Sequence, residues 1–140
     1  MTQKRILIAN RGEIALRIIR SAKEMDLHTI AVYSDADEDA LHTKRADESY
    51  YLGGSLPAES YRNLKKLVKA AEKTNADLVH PGYGFLAENS DFAKAIEKKG
   101  ITWIGPKPET IKSMGDKIES RKLVSKIGLN PVPGQLKPSR

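Results

Sequence analysis

The chain has 140 residues and no cysteine. Disulfides, thiolate metal sites and cysteine nucleophiles are therefore excluded, and a reducing, cytoplasmic compartment is expected. No stretch approaches the roughly 18 consecutive apolar residues of a transmembrane helix. The N-terminal sequence MTQKRILIANRGE also lacks the apolar core of a secretory signal peptide. The sequence thus predicts a soluble protein, and its length suits one complete domain.

Two nucleotide-binding motifs are also missing. The turn Asn10–Glu13 lies between a predicted strand and a predicted helix, where a Rossmann protein carries three glycines, yet Gly12 stands there alone. Asp35 follows the next strand, at the place of a ribose-binding acid, but without the glycines no NAD binding is expected. The absence of GxxxxGK[ST] excludes a P-loop NTPase. On spacing alone, Gly12 makes a tight turn and Glu13 favours the positive N-terminus of the helix.

Basic residues outnumber acidic ones by 24 to 18, which gives a net charge of +6. The acidic residues concentrate around 35–39 and the basic ones towards the C-terminal end. The lysines occur singly on predicted helical faces, without the interleaved aromatic residues of a nucleic-acid site. The pattern therefore indicates a solvated surface, although the basic end would also suit a phosphate-bearing ligand.

Apolar runs alternate with helical patterns along the first 105 residues. We predict strands at 5–9, 29–33, 49–52, 77–80 and 102–104. Six helices are predicted as well. The first carries the apolar stripe Ile14, Ile18, Ala22 and Met25, and the third begins at a Ser60 cap and runs to about 74. The other four span 40–45, 89 or 90 to 99, 109–114 and 117–127.

This alternation predicts an α/β fold, a Rossmann-like parallel sheet of five strands with helices on both faces. Ligands of such sheets gather at the carboxyl ends of the strands. That edge should hold the segments 10–13, 34–37, 81–89 and 105–107. The pattern changes near 114, so we place a domain boundary between 1–114 and 115–140.

The segment HPGYGFLAEN, residues 80–89, is the most distinctive of the four. Its glycines allow the backbone to approach a ligand closely, and Tyr83 offers a flat apolar wall. The alternative is a tyrosine buried in a rigid turn, with Glu88 serving only as a charge at a helix N-terminus. His80 has no second histidine or cysteine nearby, which favours a structural role over metal binding.

Beyond the predicted sheet, Gly115-Asp116-Lys117 begins a predicted helix that carries Arg121 and Lys122 one turn later. A cation at a helix N-terminus can pair with phosphate. Equally, the three basic residues can form a solvated face, and their chemistry alone leaves both interpretations open.

The strings KRILIANRGEIALRIIRSAKE, HPGYGFLAEN and WIGPKPETIKSMGDK, in this order and spacing, resemble the N-terminal region of biotin carboxylases. Acetyl-CoA, propionyl-CoA and pyruvate carboxylases share this region, and the resemblance covers essentially the whole chain. It implies that 1–114 is the N-terminal (pre-ATP-grasp) domain and 115–140 the truncated start of an ATP-grasp domain. Ala87 is the one visible departure, at a position where serine is common.

The resemblance also implies a reaction. Biotin carboxylases use MgATP to activate bicarbonate as carboxyphosphate and then carboxylate a ureido nitrogen of biotin on a carrier protein. The implied partners are the rest of the ATP-grasp domain, a C-terminal domain, the biotin carboxyl carrier protein, a carboxyltransferase and a second copy in a homodimer.

Site residues follow from the same resemblance. Lys117 is assigned to the ATP phosphates, Tyr83 and Gly84 to the biotin ring, and Glu88 to a supporting role. The dimer interface is assigned to Arg17, Arg20 and Glu24. The family's magnesium, bicarbonate and catalytic groups lie in its C-terminal half, so no catalytic residue or metal ligand is expected here. The isolated chain is therefore expected to bind no cofactor tightly and to be inactive.

Two other functions remain open. The chain could be a non-catalytic truncated subunit or dimerisation module that pairs through the first helix. It could also belong to a related ATP-grasp ligase, such as a carbamoyl-phosphate synthetase or a purine-pathway carboxylase. The strings NRGEIA and HPGYGFLAEN argue against the related ligases.

Overall fold

The computed structural model describes residues 3–105 and 107–111. These contain one sheet of five strands in the order β3-β2-β1-β4-β5, and every neighbouring pair is parallel. The predicted five-stranded parallel sheet is confirmed. Its strands are β1 Arg5–Ile8, β2 His28–Tyr33, β3 Glu48–Tyr51, β4 Leu78–His80 and β5 Thr102–Trp103.

Four helices connect the strands, and residues 108–111 are also helical. The four are α1 Gly12–Glu24, α2 Leu41–Arg45, α3 Leu64–Lys73 and α4 Ser90–Lys98. Two short 3-10 turns, Asp35–Asp37 and Pro57–Glu59, were not expected from the sequence. Within the described part of the chain, no helix is long and apolar enough to cross a bilayer. The helix predicted at 117–127 and the boundary at 114 lie outside the described residues.

The side chains of β1 point alternately to two apolar clusters. Ile6 and Ile8 pack with Ala15, Ile19 and Ala22 of α1 on one face of the sheet. Leu7 and Ala9 belong to a larger cluster on the other face, which includes Leu67 of α3, Phe92 and Ile96 of α4, and Trp103 of β5. Because both faces of the sheet are covered, Ile6, Leu7 and Ile8 of β1 are buried, as is expected of a central parallel strand. Helices on both faces are confirmed.

The buried side of α1 differs from the predicted stripe of Ile14, Ile18, Ala22 and Met25. The residues of α1 that are buried are Ala15, Ile19 and Ala22. Met25 is 71% exposed and stands at the end of the helix rather than in the core. Ile14, Ile18 and Met25 instead line an apolar groove beside the helix. Helical periodicity identified the apolar residues, but it could not distinguish the side that contacts the sheet from the side next to it.

The predicted Ser60 cap is also wrong. The side chain that caps α3 is Asn63, which accepts a hydrogen bond from the Lys66 N–H at 3.0 Å. The Ser60 hydroxyl donates instead to the Leu56 carbonyl at 3.0 Å. Because the chain turns at Pro57–Glu59 before the helix begins, Ser60 closes that turn, and the cap Asn63 lies three residues later, directly before the helix.

The strand order places a crevice between β1 and β4. From β1 the chain continues through α1 on one face, whereas from β4 it continues through α4 on the other face. The connections after these two neighbouring strands therefore diverge, and this is where parallel α/β sheets bind their ligands. Asn10 follows β1, and the 81–89 loop follows β4, so both lie at this crevice.

Candidate functional site

The side chain of Asn10 links the two strands at the crevice. It is 1% exposed. Its Nδ2 donates to the carbonyl oxygens of Pro81 at 2.9 Å and Tyr83 at 2.7 Å, while its Oδ1 accepts from the Arg11 N–H at 2.9 Å. Both amide hydrogens of Asn10 are therefore used to hold the loop that follows β4.

That loop has an unusual backbone. Gly82 and Gly84 adopt left-handed conformations, with φ of +69° and +71°, and Phe85 does so as well, with φ of +46°. A Cβ at Gly82 would lie 2.6 Å from Asn10 Nδ2, so the close approach of Asn10 requires glycine there. Phe85 tolerates its conformation while its ring stacks on Tyr61, with centroids 5.2 Å apart.

Tyr83 is not the buried tyrosine of the alternative interpretation, because it is 75% exposed. Phe85 is the aromatic residue of the loop that packs inward. Tyr83, Gly84 and Glu88 line a cavity of about 500 Å³, together with Ile104 and Gly105 from the end of β5. No atom lies within 4 Å of where a Cβ of Gly84 would stand, so this side of the loop is open. Tyr83, Gly84 and Glu88, the three residues that the resemblance assigned to this loop, thus line one cavity.

His80 supports the loop from below. Its Nδ1 accepts a hydrogen bond from the Gly82 N–H at 3.0 Å, which places the proton of the neutral ring on Nε2. Burial lowers the pKa of His80, so this neutral form is favoured. Among residues 3–105 and 107–111, no cluster of three or more His, Cys, Asp or Glu side chains could hold a metal ion. The hydrogen bond to Gly82 is the structural role that the sequence favoured for His80.

A polar network around the buried Asp37 also adjoins the loop, and sequence reasoning missed it. The Arg11 guanidinium contacts both carboxylate oxygens of Asp37 at 2.6 Å, and the Tyr61 hydroxyl donates to the same carboxylate at 2.7 Å. The hydrogen bond from Arg11 lowers the pKa of Asp37 to about 2. Because Tyr61 stacks on Phe85, this network connects the turn after β1 to the far side of the loop.

No local signal in the sequence could have revealed that network. Arg11 and Asp37 are 26 residues apart, and Asp37 appeared to be one member of a solvated acidic patch. Asp35, the position of a ribose-binding acid in Rossmann proteins, is exposed and accepts a hydrogen bond from the Tyr51 hydroxyl. Gly12 has a φ of +60° and Glu13 is exposed in the first turn of α1, as the sequence predicted.

The three residues assigned to a dimer interface are all exposed. Arg17, Arg20 and Glu24 lie on the outside of α1, as expected. Arg17 borders the apolar groove beside Ile18, whereas Arg20 lies nearer to α2, in a shallow depression that includes Leu41. Lys117 lies outside the described residues.

The comparisons with known proteins agree on one family. Residues 2–111 match the family described as the biotin carboxylase N-terminal domain. Biotin carboxylase 2 of Bacillus subtilis is 52% identical over 130 residues, which are 93% of this chain and 29% of that protein. Biotin carboxylase of Haemophilus influenzae is 50% identical over 131 residues, 94% of this chain and 29% of that protein.

A solved structure extends the agreement to three dimensions. The biotin carboxylase domain of a thermophilic 2-oxoglutarate carboxylase, bound to bicarbonate, has a TM-score of 0.79 and 46% identity to this chain. The match covers 95% of this chain and 30% of that one. The chain thus spans less than a third of the length of these relatives. By its sequence and its fold, the chain belongs to the biotin carboxylase N-terminal domain family.

Proposed function

We propose that this chain forms the N-terminal wall of a biotin carboxylase active site, in which Tyr83 and Gly84 contact the biotin ring. The complete enzyme uses MgATP and bicarbonate to carboxylate biotin on a carrier protein, and a carboxyltransferase then consumes the product. One observation carries this proposal: the exposed Tyr83 lies in a loop held by Asn10 and His80, at the edge of a cavity of about 500 Å³.

The geometry of the loop suits a flat ligand ring. Tyr83 offers an apolar face with a polar hydroxyl, and Gly84 leaves the adjacent backbone open to close approach. Ile104 and Ala87 add further apolar surface to the cavity. Glu88, on the rim, serves as a supporting residue. Small-molecule sites generally combine such apolar walls with a few polar groups.

ATP and magnesium are assigned to segments beyond the described residues. The phosphates are the proposed partner of Lys117. The described residues contain no carboxylate cluster suited to a metal, so we derive no magnesium step from them. Since the family's magnesium, bicarbonate and catalytic groups lie in its C-terminal half, the 140-residue chain alone should not turn over ATP. Bicarbonate-dependent phosphate release by this chain above a heat-killed control would contradict this.

We assign two further roles to the chain. The first is homodimer formation through Arg17, Arg20 and Glu24, whose exposure leaves them free to meet a second copy. The second is contact with the remaining ATP-grasp and C-terminal domains of a cytoplasmic enzyme, with the biotin carboxyl carrier protein as its substrate.

A chimera tests the biotin assignment. The chain replaces the matching N-terminal segment of the Haemophilus influenzae biotin carboxylase, and bicarbonate-dependent phosphate release is measured with free biotin. Tyr83→Ala should raise the KM for biotin by about tenfold, the effect of losing about 1.4 kcal/mol of contact energy. The KM for ATP should not change.

The matched control is Tyr51→Ala, which removes another exposed tyrosine (52% exposed). Tyr51 lies on the edge strand β3, which β2 and β1 separate from β4. Equal effects of the two substitutions on the KM for biotin would refute the assignment of Tyr83. A chimera that folds but has no activity would refute the function proposed for the chain.

A further inference from the structure

We propose that Asn10 is a positioning residue for the loop that carries Tyr83 and Gly84. Its carboxamide fixes the Pro81 and Tyr83 carbonyls, and this sets the direction in which Tyr83 projects into the cavity. The structural role of Asn10 stands on these contacts alone, whereas its consequence for biotin rests on the proposed function.

Both hydrogen-bond donors of the Asn10 side chain are directed at this loop. A primary amide has two N–H donors, and those of Asn10 go to the two carbonyls at 2.9 and 2.7 Å. Its oxygen accepts from the Arg11 N–H, which fixes the orientation of the amide. Because Asn10 is 1% exposed, water has little access to the two carbonyls in place of its amide group.

Asn10 and Gly82 are fitted to each other. Gly82 lies between the two carbonyls that Asn10 binds, and a Cβ at Gly82 would meet Asn10 Nδ2 at 2.6 Å and Asn10 Cβ at 3.0 Å. The left-handed backbone of Gly82 turns both carbonyls towards the amide. A different side chain at either position therefore changes the shape of the loop.

The other contacts of the loop restrain different parts of it. The Ala87 N–H donates to the Gly84 carbonyl at 2.8 Å, and Phe85 is held by Tyr61, both beyond Tyr83 along the chain. The Gly82 N–H is held by His80, which precedes the loop. Among the described side chains, that of Asn10 reaches from the turn after β1 to the carbonyl of Tyr83 itself.

The test begins with the 140-residue chain. Asn10→Asp keeps the size of the side chain and its acceptor for Arg11, but it replaces both donors with an oxygen that faces two carbonyls. We expect the Gly82 amide hydrogen to exchange about 10 to 100 times faster, since its loop loses two buried hydrogen bonds. Amides in the pairing of β1 with β2 should keep their exchange rates.

Asn63→Asp is the matched control. It makes the same chemical change at the cap of α3, where only the side-chain oxygen is used and aspartate serves equally well. Asn10→Ser provides a second, uncharged variant if the aspartate chain does not fold, as judged by circular dichroism. Unchanged exchange at Gly82 in the folded variant would overturn the positioning role.

The second part of the test uses the chimera with the Haemophilus influenzae enzyme. Asn10→Ser should raise the KM for biotin at least fivefold and leave the KM for ATP unchanged, a separation that general destabilisation would not produce. Faster exchange at Gly82 with an unchanged KM for biotin would overturn the biotin role of the loop, while the anchoring by Asn10 would stand.

Discussion

Arg11 and Asp37 form a two-pronged ion pair across the carboxyl end of the sheet, with both N–O distances at 2.6 Å. The side chain of Asp37 is only 6% exposed, whereas that of Arg11 is 48% exposed. The carboxylate is therefore buried, and its charge is balanced by a cation that remains half in water. Tyr61 also donates a hydrogen bond to Asp37, and its ring stacks on that of Phe85, so the ion pair is connected to the loop by direct contacts.

The first prediction concerns the pH dependence of stability. In the folded chain the pKa of Asp37 is lowered to about 2, whereas the unfolded value is about 3.9. The ionised Asp37 therefore adds to the free energy of unfolding in full above about pH 4, and this stabilisation is lost as the pH falls towards about 2. Asp37→Asn should lower the free energy of unfolding at pH 7 by about 2 kcal/mol, since Arg11 and Tyr61 lose their charged partner. The measurement is urea denaturation at pH 7 and at pH 3.

The loss should shrink at pH 3, because the unfolded chain is mostly protonated at Asp37 there, whereas the folded chain, with a pKa of about 2, still keeps the carboxylate mostly ionised. Asp35→Asn, at an exposed aspartate two residues away, is the control and should have little effect at either pH. An Asp37→Asn loss as large at pH 3 as at pH 7 would contradict the assigned pKa.

The second prediction separates the two effects of glycine in the loop. Gly82→Ala should cost about 2–4 kcal/mol, because it combines a left-handed backbone with the clash against Asn10. Gly100→Ala has a similar φ of +80° but open space around the added Cβ, so it should cost only about 1 kcal/mol. Urea denaturation of the two variants checks this, and equal losses would mean that Asn10 moves aside freely.

The third prediction concerns Lys117, which lies outside the described residues and is assigned by the family resemblance. A lysine there acts as a compact cation for phosphate. Loss of one charge-assisted contact is worth roughly 1.5–3 kcal/mol, so Lys117→Gln in the chimera should raise the KM for ATP about 10- to 100-fold. Lys122→Gln is the surface-charge control. Two small and equal changes would show that Lys117 belongs to a solvated face.

The fourth prediction concerns the dimer. Arg20→Glu in the chimera should shift the protein from dimer to monomer in analytical ultracentrifugation, because it reverses a charge on the proposed interface of α1. Its effect on the stability of the monomer should be small, since Arg20 is exposed. Lys69→Glu, an exposed position on α3 across the sheet, is the control. A dimer that persists in the Arg20→Glu variant would remove α1 from the interface.

The sequence predicted the sheet well because parallel strands have a strong local signature. Runs such as Thr29–Tyr33 are mostly apolar, and turn-forming residues such as Asn10, Asp35 and Gly82 mark where the chain turns after the strands. The loop with Tyr83 and Gly84 was placed correctly for the same reason, since it follows a strand at the carboxyl edge of the sheet.

The errors and omissions have tertiary causes. Met25 continues an apolar helical stripe, but whether that stripe touches the sheet depends on how α1 rotates about its axis. The contacts of Asn10 with Tyr83, 73 residues away, form only when the strands are aligned. Asp37 looks like its acidic neighbours until the fold brings Arg11 against it. Such contacts depend on three-dimensional alignment, which no window of sequence contains.

The strand order also has a consequence for the order of folding. β1 can pair with β2 after a short connection, but its other neighbour, β4, begins more than 60 residues later in the chain. Contacts of such long sequence separation form late, because closing a long loop costs conformational entropy before the contacts return any stability. A ribosome-bound chain that ends before Leu78 therefore leaves one edge of β1 unpaired. The loop with Tyr83 should acquire its shape only in the final steps of folding.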